Sequence, residues 1–159
     1  MLTAPTLENL TLEISDNVHV RASLEATFDS IVSHIGRLNE TPDGKPFPMV
    51  LEAWPGGRWY RDLGGNNGHM WGHVQAIKKP TLLEIYGPLF MSYPAMSNVQ
   101  YRLSEEGGVT RVMFSHRAIG LISPEHRAGG RLSEGWINLL KRVRDSVERK
   151  RGGARRVTQ

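Results

Sequence analysis

His69 and His73 stand four residues apart in a run that alternates apolar with polar side chains. On one strand that spacing puts both imidazoles on the same face, about 13 Å apart. A single metal ion cannot bridge that distance. His116 adds a third imidazole on a later strand, but no further histidine or acidic ligand lies at a recognisable spacing. The expectation is hydrogen-bonded histidines with no metal and no cofactor. A histidine in an apolar pocket titrates near neutral pH, so proton transfer is the chemistry left to examine. Its candidates are His116, His73, Glu52 and Tyr101. Glu52 sits near Trp54 on one strand and Arg61 shares a face with Trp59 on the next, so the two charges are expected to pair across the sheet. Facing solvent they form an ordinary ion pair; facing a cavity, desolvation would raise the carboxylate's pKa or Arg61 would neutralise it. The solvent-facing pair is favoured, because charged residues are rarely buried alone.

Those residues need elements to hold them. The alternation of Leu10–Ala22 marks an opening strand. Ser23 then stands at an N-cap position, with Ala26, Phe28, Ile31, Val32 and Ile35 at helical spacing and Gly36 as a stop. Residues 38–48 carry three prolines and read as a loop. Six strands are expected next, at Met49–Trp54, Arg58–Leu63, His69–Ile77, Leu82–Tyr86, Asn98–Ser104 and Thr110–Ala118. Glycine-rich turns separate several of them, notably Pro55-Gly56-Gly57 and Glu106-Gly107-Gly108. Such short connections leave no room for parallel crossovers, so the sheet is antiparallel. Ser123-Pro124-Glu125 opens a last, long helix whose apolar stripe includes Trp136, Ile137, Leu139, Leu140, Val143 and Val147. Lys141, Arg142, Arg144 and Glu148 fall on its opposite face. Gly129, Gly130 and Gly135 weaken the first half of this helix.

At 159 residues the chain is one domain in size, assigned to residues 10–150, with 1–9 and 151–159 as flexible termini. Hydrophobic residues form 39% and charged residues 23%, which excludes a disordered or membrane-embedded chain. The absence of cysteine removes disulfides and thiolate chemistry. With no apolar leader or span, a cytoplasmic protein is expected. The net charge of +4 is concentrated near the C-terminus, from Lys141 to Arg156. No aromatic platform accompanies it, so nucleic acid is not an expected partner, and neither is a membrane. Phosphate loops, dinucleotide fingerprints and nucleophile elbows are absent from the sequence.

Strand, short helix, six-stranded meander and long C-terminal helix is an order that resembles the START-like, or SRPBCC, superfamily. Its fold is the α+β helix grip typified by the birch pollen allergen. Leu51-Glu52-Ala53-Trp54-Pro55-Gly56-Gly57-Arg58-Trp59, then Gly72-His73-Val74-Gln75-Ala76-Ile77 and Gly135-Trp136, is similar to the homologues of the activator of heat-shock-protein-90 ATPase. The resemblance implies a curved antiparallel sheet of about seven strands wrapped around the last helix, with an apolar cavity between them. A small hydrophobic ligand, a lipid or a polyketide-like molecule, is the expected partner. Two alternatives stand beside it. One is a cyclase, aromatase or hydrolase using the same cavity, and the other a stress-related chaperone-interacting protein or a homodimer. The cavity lining expected on this basis is Trp54, Trp59, Trp71, His73, Tyr86, Phe90, Tyr101, Phe114, His116, Trp136 and Leu140. The apolar loop Gly87–Asn98 reads either as a lid or as a loop pinned by its own side chains.

Overall fold

The computed structural model describes residues 3–4, 6–127 and 131–156. A single helical turn, α1 (Leu7–Leu10), leads into β1 (Thr11–Val20), where Leu12, Ile14, Val18 and Val20 turn inward and Glu13, Ser15, Asn17 and His19 face solvent. The Ser23 hydroxyl accepts the Ala26 amide at 3.1 Å and caps α2 (Leu24–Ile35), which ends at Gly36. Six strands follow: β2 (Val50–Leu51), β3 (Arg58–Gly64), β4 (Asn67–Lys78), β5 (Leu82–Gly87), β6 (Ala95–Glu106) and β7 (Val109–Gly120). They form a seven-stranded antiparallel sheet in the order β1-β7-β6-β5-β4-β3-β2. The meander is as expected, and β1 closes onto its last strand. After α3 (Pro124–Arg127), α4 (Arg131–Arg156) lies across the concave face. Its Trp136, Leu139, Leu140, Val143 and Val147 share one core with Phe28, Ile31 and Ile35 of α2 and with Leu83, Ile85, Val99, Val112 and Phe114 of the sheet.

Three elements differ from the expectation. Strand β2 is only two residues long, because Trp54-Pro55-Gly56-Gly57 is consumed by the turn into β3. Ser123-Pro124-Glu125 opens only the four-residue α3, and α4 begins at Arg131; Gly129 and Gly130 lie outside the described residues. At its other end α4 continues past residue 150, through Gly152 and Gly153, to Arg156. Arg149 donates to the Asp145 carbonyl and Arg151 to the Arg21 carbonyl, so this basic turn is tied both to its own helix and to the end of β1.

A β-bulge decides which residues of β4 reach the concave face. The pairing runs Arg58↔His73, Trp59↔Gly72 and then Tyr60↔Met70, so Trp71 is an extra residue in β4. One inserted residue flips every side chain beyond it to the other face. His69 and His73 therefore lie on opposite faces rather than on one. His69 accepts a hydrogen bond from the Trp71 indole at 3.3 Å, whereas His73 stacks on Tyr86 on the outer face. Among the described residues, no three His, Asp or Glu side chains come together as a metal site.

Beside the bulge, β4 and β5 approach so closely that only glycine fits. A Cβ on Gly72 would lie 2.4 Å from the Tyr86 carbonyl oxygen, and one on Gly87 (φ +153°) 2.3 Å from that of Trp71. The Leu89 amide then bonds the Trp71 carbonyl at 2.8 Å, which anchors the following loop. Gly72→Ala should force the strands apart and cost about 2 kcal/mol, read as a lower urea midpoint at unchanged m-value. An unaltered midpoint would mean that the strands part freely.

Candidate functional site

The bulge, the loop after α2 and the stripe on α4 meet around a cavity of about 310 Å³. Trp59 and Trp71 form its sheet wall, and Phe47 stands beside them. Phe90 comes from the loop after β5 and His126 from α3. Leu132, Gly135, Trp136, Leu139 and Arg142 line it from α4, at the three- and four-residue spacing of one helical face. Trp59 and Phe90 meet Trp71 edge to face, and Phe47 lies tilted against it. Trp71 lies 5.0 Å from Trp59, 5.6 Å from Phe90 and 5.9 Å from Phe47, centroid to centroid. The Trp59 indole also donates to the Ile35 carbonyl at 2.8 Å, fixing the sheet wall to the end of α2. Gly135 contributes space: outside its own helix backbone, the nearest heavy atom to a Cβ placed there is Pro42 Cγ at 3.7 Å.

Polar groups are few and sit at the rim. The Tyr93 hydroxyl and His126 Nδ1 are 2.7 Å apart, and Phe90 packs on the same imidazole. The Asn39 side chain donates to the Phe47 carbonyl, and the Thr41 hydroxyl bonds within its own turn. Glu40 faces Arg142 with 3.5 Å between Oε2 and Nε. Arg61 lies over the Phe47 ring at 4.4 Å and donates to the Pro48 carbonyl, so it makes a cation–π contact rather than the expected ion pair.

Of the eleven residues expected to line a cavity, Trp59, Trp71, Phe90 and Trp136 do so. Tyr101, Phe114, His116 and Leu140 point inward but are enclosed in the core. Burial pushes the Tyr101 phenol well above its ordinary pKa, so it stays protonated. Trp54, His73 and Tyr86 do not line it. Trp54 lies in the β2–β3 turn, 58% exposed, and His73 and Tyr86 pair across β4 and β5 on the outer face. Glu52 is clamped by Arg58, not Arg61, with two side-chain bonds of 2.7 Å. Those bonds hold its carboxyl at about 2, well below the ordinary range. Glu52 therefore forms the favoured ion pair, with Arg58 in place of Arg61, and the raised carboxylate of the cavity-facing alternative does not arise.

His116 is fully buried. Its Nδ1 accepts the Trp136 indole N–H at 3.2 Å, and its Nε2 lies 2.9 Å from Ser97 Oγ. An indole nitrogen can only donate, so Nδ1 is unprotonated and Nε2–H donates to the serine. Desolvation lowers this imidazole to about 4. The four proton-transfer candidates are thus dispersed, and none is within hydrogen-bond reach of another. The loop after β5 is the pinned form: Leu89 and Met91 are buried, and Phe90 alone reaches the cavity. Sequence reasoning missed Asn39–Pro42, Phe47, His126, Leu132, Leu139 and Arg142 as lining. Leu132 and Leu139 were legible from their spacing to Trp136, whereas the loop residues carry no periodic signal.

A curved seven-stranded antiparallel sheet gripping a C-terminal helix, with a short helix after the first strand, defines the helix-grip fold. Solved structures share it. CalU16 from Micromonospora echinospora is 21% identical, with a TM-score of 0.58 over 89% of this chain and 84% of that one. Ara h 8.0201 is 13% identical, with a TM-score of 0.60 over 86% of this chain and 97% of that one. DynU16, from the dynemicin biosynthetic locus, is 14% identical, with a TM-score of 0.59 over 86% of this chain and 47% of that one. At these identities the likeness is one of fold. No protein-family model matches the chain, and no curated protein sequence does. No helix among the described residues is long and apolar enough to cross a membrane.

Proposed function

We propose that this chain binds a small hydrophobic, polyketide-like molecule in the cavity between the sheet and α4. The supporting observation is the ring-lined cavity itself, with Trp59, Trp71, Phe90 and Trp136 around about 310 Å³. That is about twice the ~150 Å³ that holds one benzene, so the space suits a body of two or three fused rings better than an extended acyl chain. The occurrence of DynU16 in a biosynthetic locus accords with such a ligand. We also propose, on the likeness of Leu51–Trp59 and Gly72–Ile77 alone, kinship with the homologues of the activator of heat-shock-protein-90 ATPase. Its most specific stretch, Glu52 to Arg58, forms a surface turn closed by the Glu52–Arg58 clasp, away from the cavity.

Gly135 supplies the test. A side chain there projects into the cavity without meeting backbone, and replacing a helical glycine removes up to about 1 kcal/mol of propensity cost. Gly135→Leu should therefore keep or raise the melting temperature while abolishing the quenching of tryptophan fluorescence by 2-naphthylmethanol. Equal quenching by both proteins would place the binding elsewhere, and no quenching of either would defeat the proposal.

A further inference from the structure

We propose that the ligand carries an acidic group, a carboxylate or its equivalent, and that Arg142 receives it. The inference rests on the cavity being a ligand site and adds the chemistry of one end of the ligand. Most polar groups at the rim are already engaged: Asn39 with the Phe47 carbonyl, Thr41 within its turn, His126 Nδ1 with Tyr93. Arg142 and Glu40 are the exceptions, held to each other only as an ion pair. The Arg142 Nε is buried without a hydrogen-bond partner, and among the described residues its guanidinium makes no hydrogen bond at all.

Glu40 neutralises Arg142 only by charge, from 3.5 Å and on the Nε side. The terminal amino groups, which present the fork that matches a carboxylate bidentately, remain uncommitted. Between the two partners the arginine side chain is the more enclosed, at 22% exposure against 35% for Glu40. An enclosed guanidinium gains more from a new charge-assisted bond than a more hydrated carboxylate does. The lining residues lie on α4 at 132, 135, 136, 139 and 142, so the acidic group would meet Arg142 while rings of the same molecule lie against Trp136 and Leu139. A rigid aromatic acid satisfies both.

The experiment compares 2-naphthoate, 2-naphthylmethanol and 2-naphthylmethylamine, which share a ring system and differ in charge. The wild-type protein should bind naphthoate at least about tenfold more tightly than the alcohol, and the amine more weakly still. In Arg142→Gln the preference for naphthoate over the alcohol should vanish, with the alcohol's affinity kept within about twofold. Equal affinities in the wild type, tighter binding of the amine, or a preference that survives in R142Q would overturn the assignment while leaving the cavity as a ligand site. Failure of all three compounds to bind would instead defeat the cavity reading and this inference with it. Glu40→Gln decides the matter if R142Q does not fold. Freed of its competitor, Arg142 should hold naphthoate more tightly at unchanged affinity for the alcohol, and an unchanged or weakened naphthoate affinity would count against the proposal.

Discussion

Replacing Trp136 by alanine is expected to cost about 3–5 kcal/mol, the usual range when a large buried aromatic is truncated. For a chain of this size the melting temperature would fall by roughly 6–20 °C. The cost has three sources. The indole packs on Phe114 at 4.8 Å and edge-on to His116 at 5.6 Å, so its removal leaves a void against two rings. It is the sole donor seen at His116 Nδ1, and that buried acceptor would be left unsatisfied. It also walls the cavity, so the void would merge with it and admit larger ligands. Arg144→Ala, which removes only a surface contact with the adjacent Asp145, should change the melting temperature little. If Trp136→Ala kept full stability and lost only binding to a protein partner, α4 would be a docking surface and its inward face would be misassigned.

Stability should fall as the solution is acidified from pH 6.5 to about 4, and His116 should account for about 3 kcal/mol of the loss. The sign follows from its depressed pKa. The folded protein holds the ring neutral down to about 4, while the unfolded chain protonates it near 6.5, so the unfolded state carries the extra proton between those limits. The contribution is complete above pH 6.5 and shrinks by about 1.4 kcal/mol per unit below it. It levels off once the folded form also titrates. Protonation would place N–H against N–H at the Trp136 contact. Denaturant midpoints measured across this range should show a steep slope in the wild type and a shallow one in His116→Gln. The residual slope belongs in part to His34, also lowered by burial. Parallel slopes in the two proteins would show that His116 is solvated in the folded state.

The strands were legible because alternation and turn glycines are local signals, and so was the Ser23 cap, whose hydroxyl bonds only three residues away. The bulge at Trp71 was not, because an extra residue is defined by the register of its partner strand, and nothing within 67–78 marks it. That one residue reversed the relation between His69 and His73 and brought Trp71 to the cavity. Arg142 was misread on its charge. It was grouped with Lys141 and Arg144, yet its three- and seven-residue spacing from Leu139 and Gly135 puts it on the cavity side of α4, at the rim beneath the 39–47 loop. Glu52 chose Arg58 over Arg61 because the tight turn brings Arg58's backbone amide and guanidinium onto one carboxylate.

The placement of β1 beside β7 has a consequence for how the chain is made. Thr11 pairs with Ile119 and Val20 with Thr110, whereas β3 to β7 each pair with a strand separated by a short connection. A ribosome adding about 5–20 residues per second would release β1 roughly 5 to 20 seconds before its partner emerges. During that interval Leu12, Ile14 and Val18 have no sheet to cover them, so the nascent chain carries an unpaired, one-sided strand open to wrong partners. Refolding of the full-length chain meets the same delay as a loop-closure cost, which places it among the slower, millisecond-to-second folders.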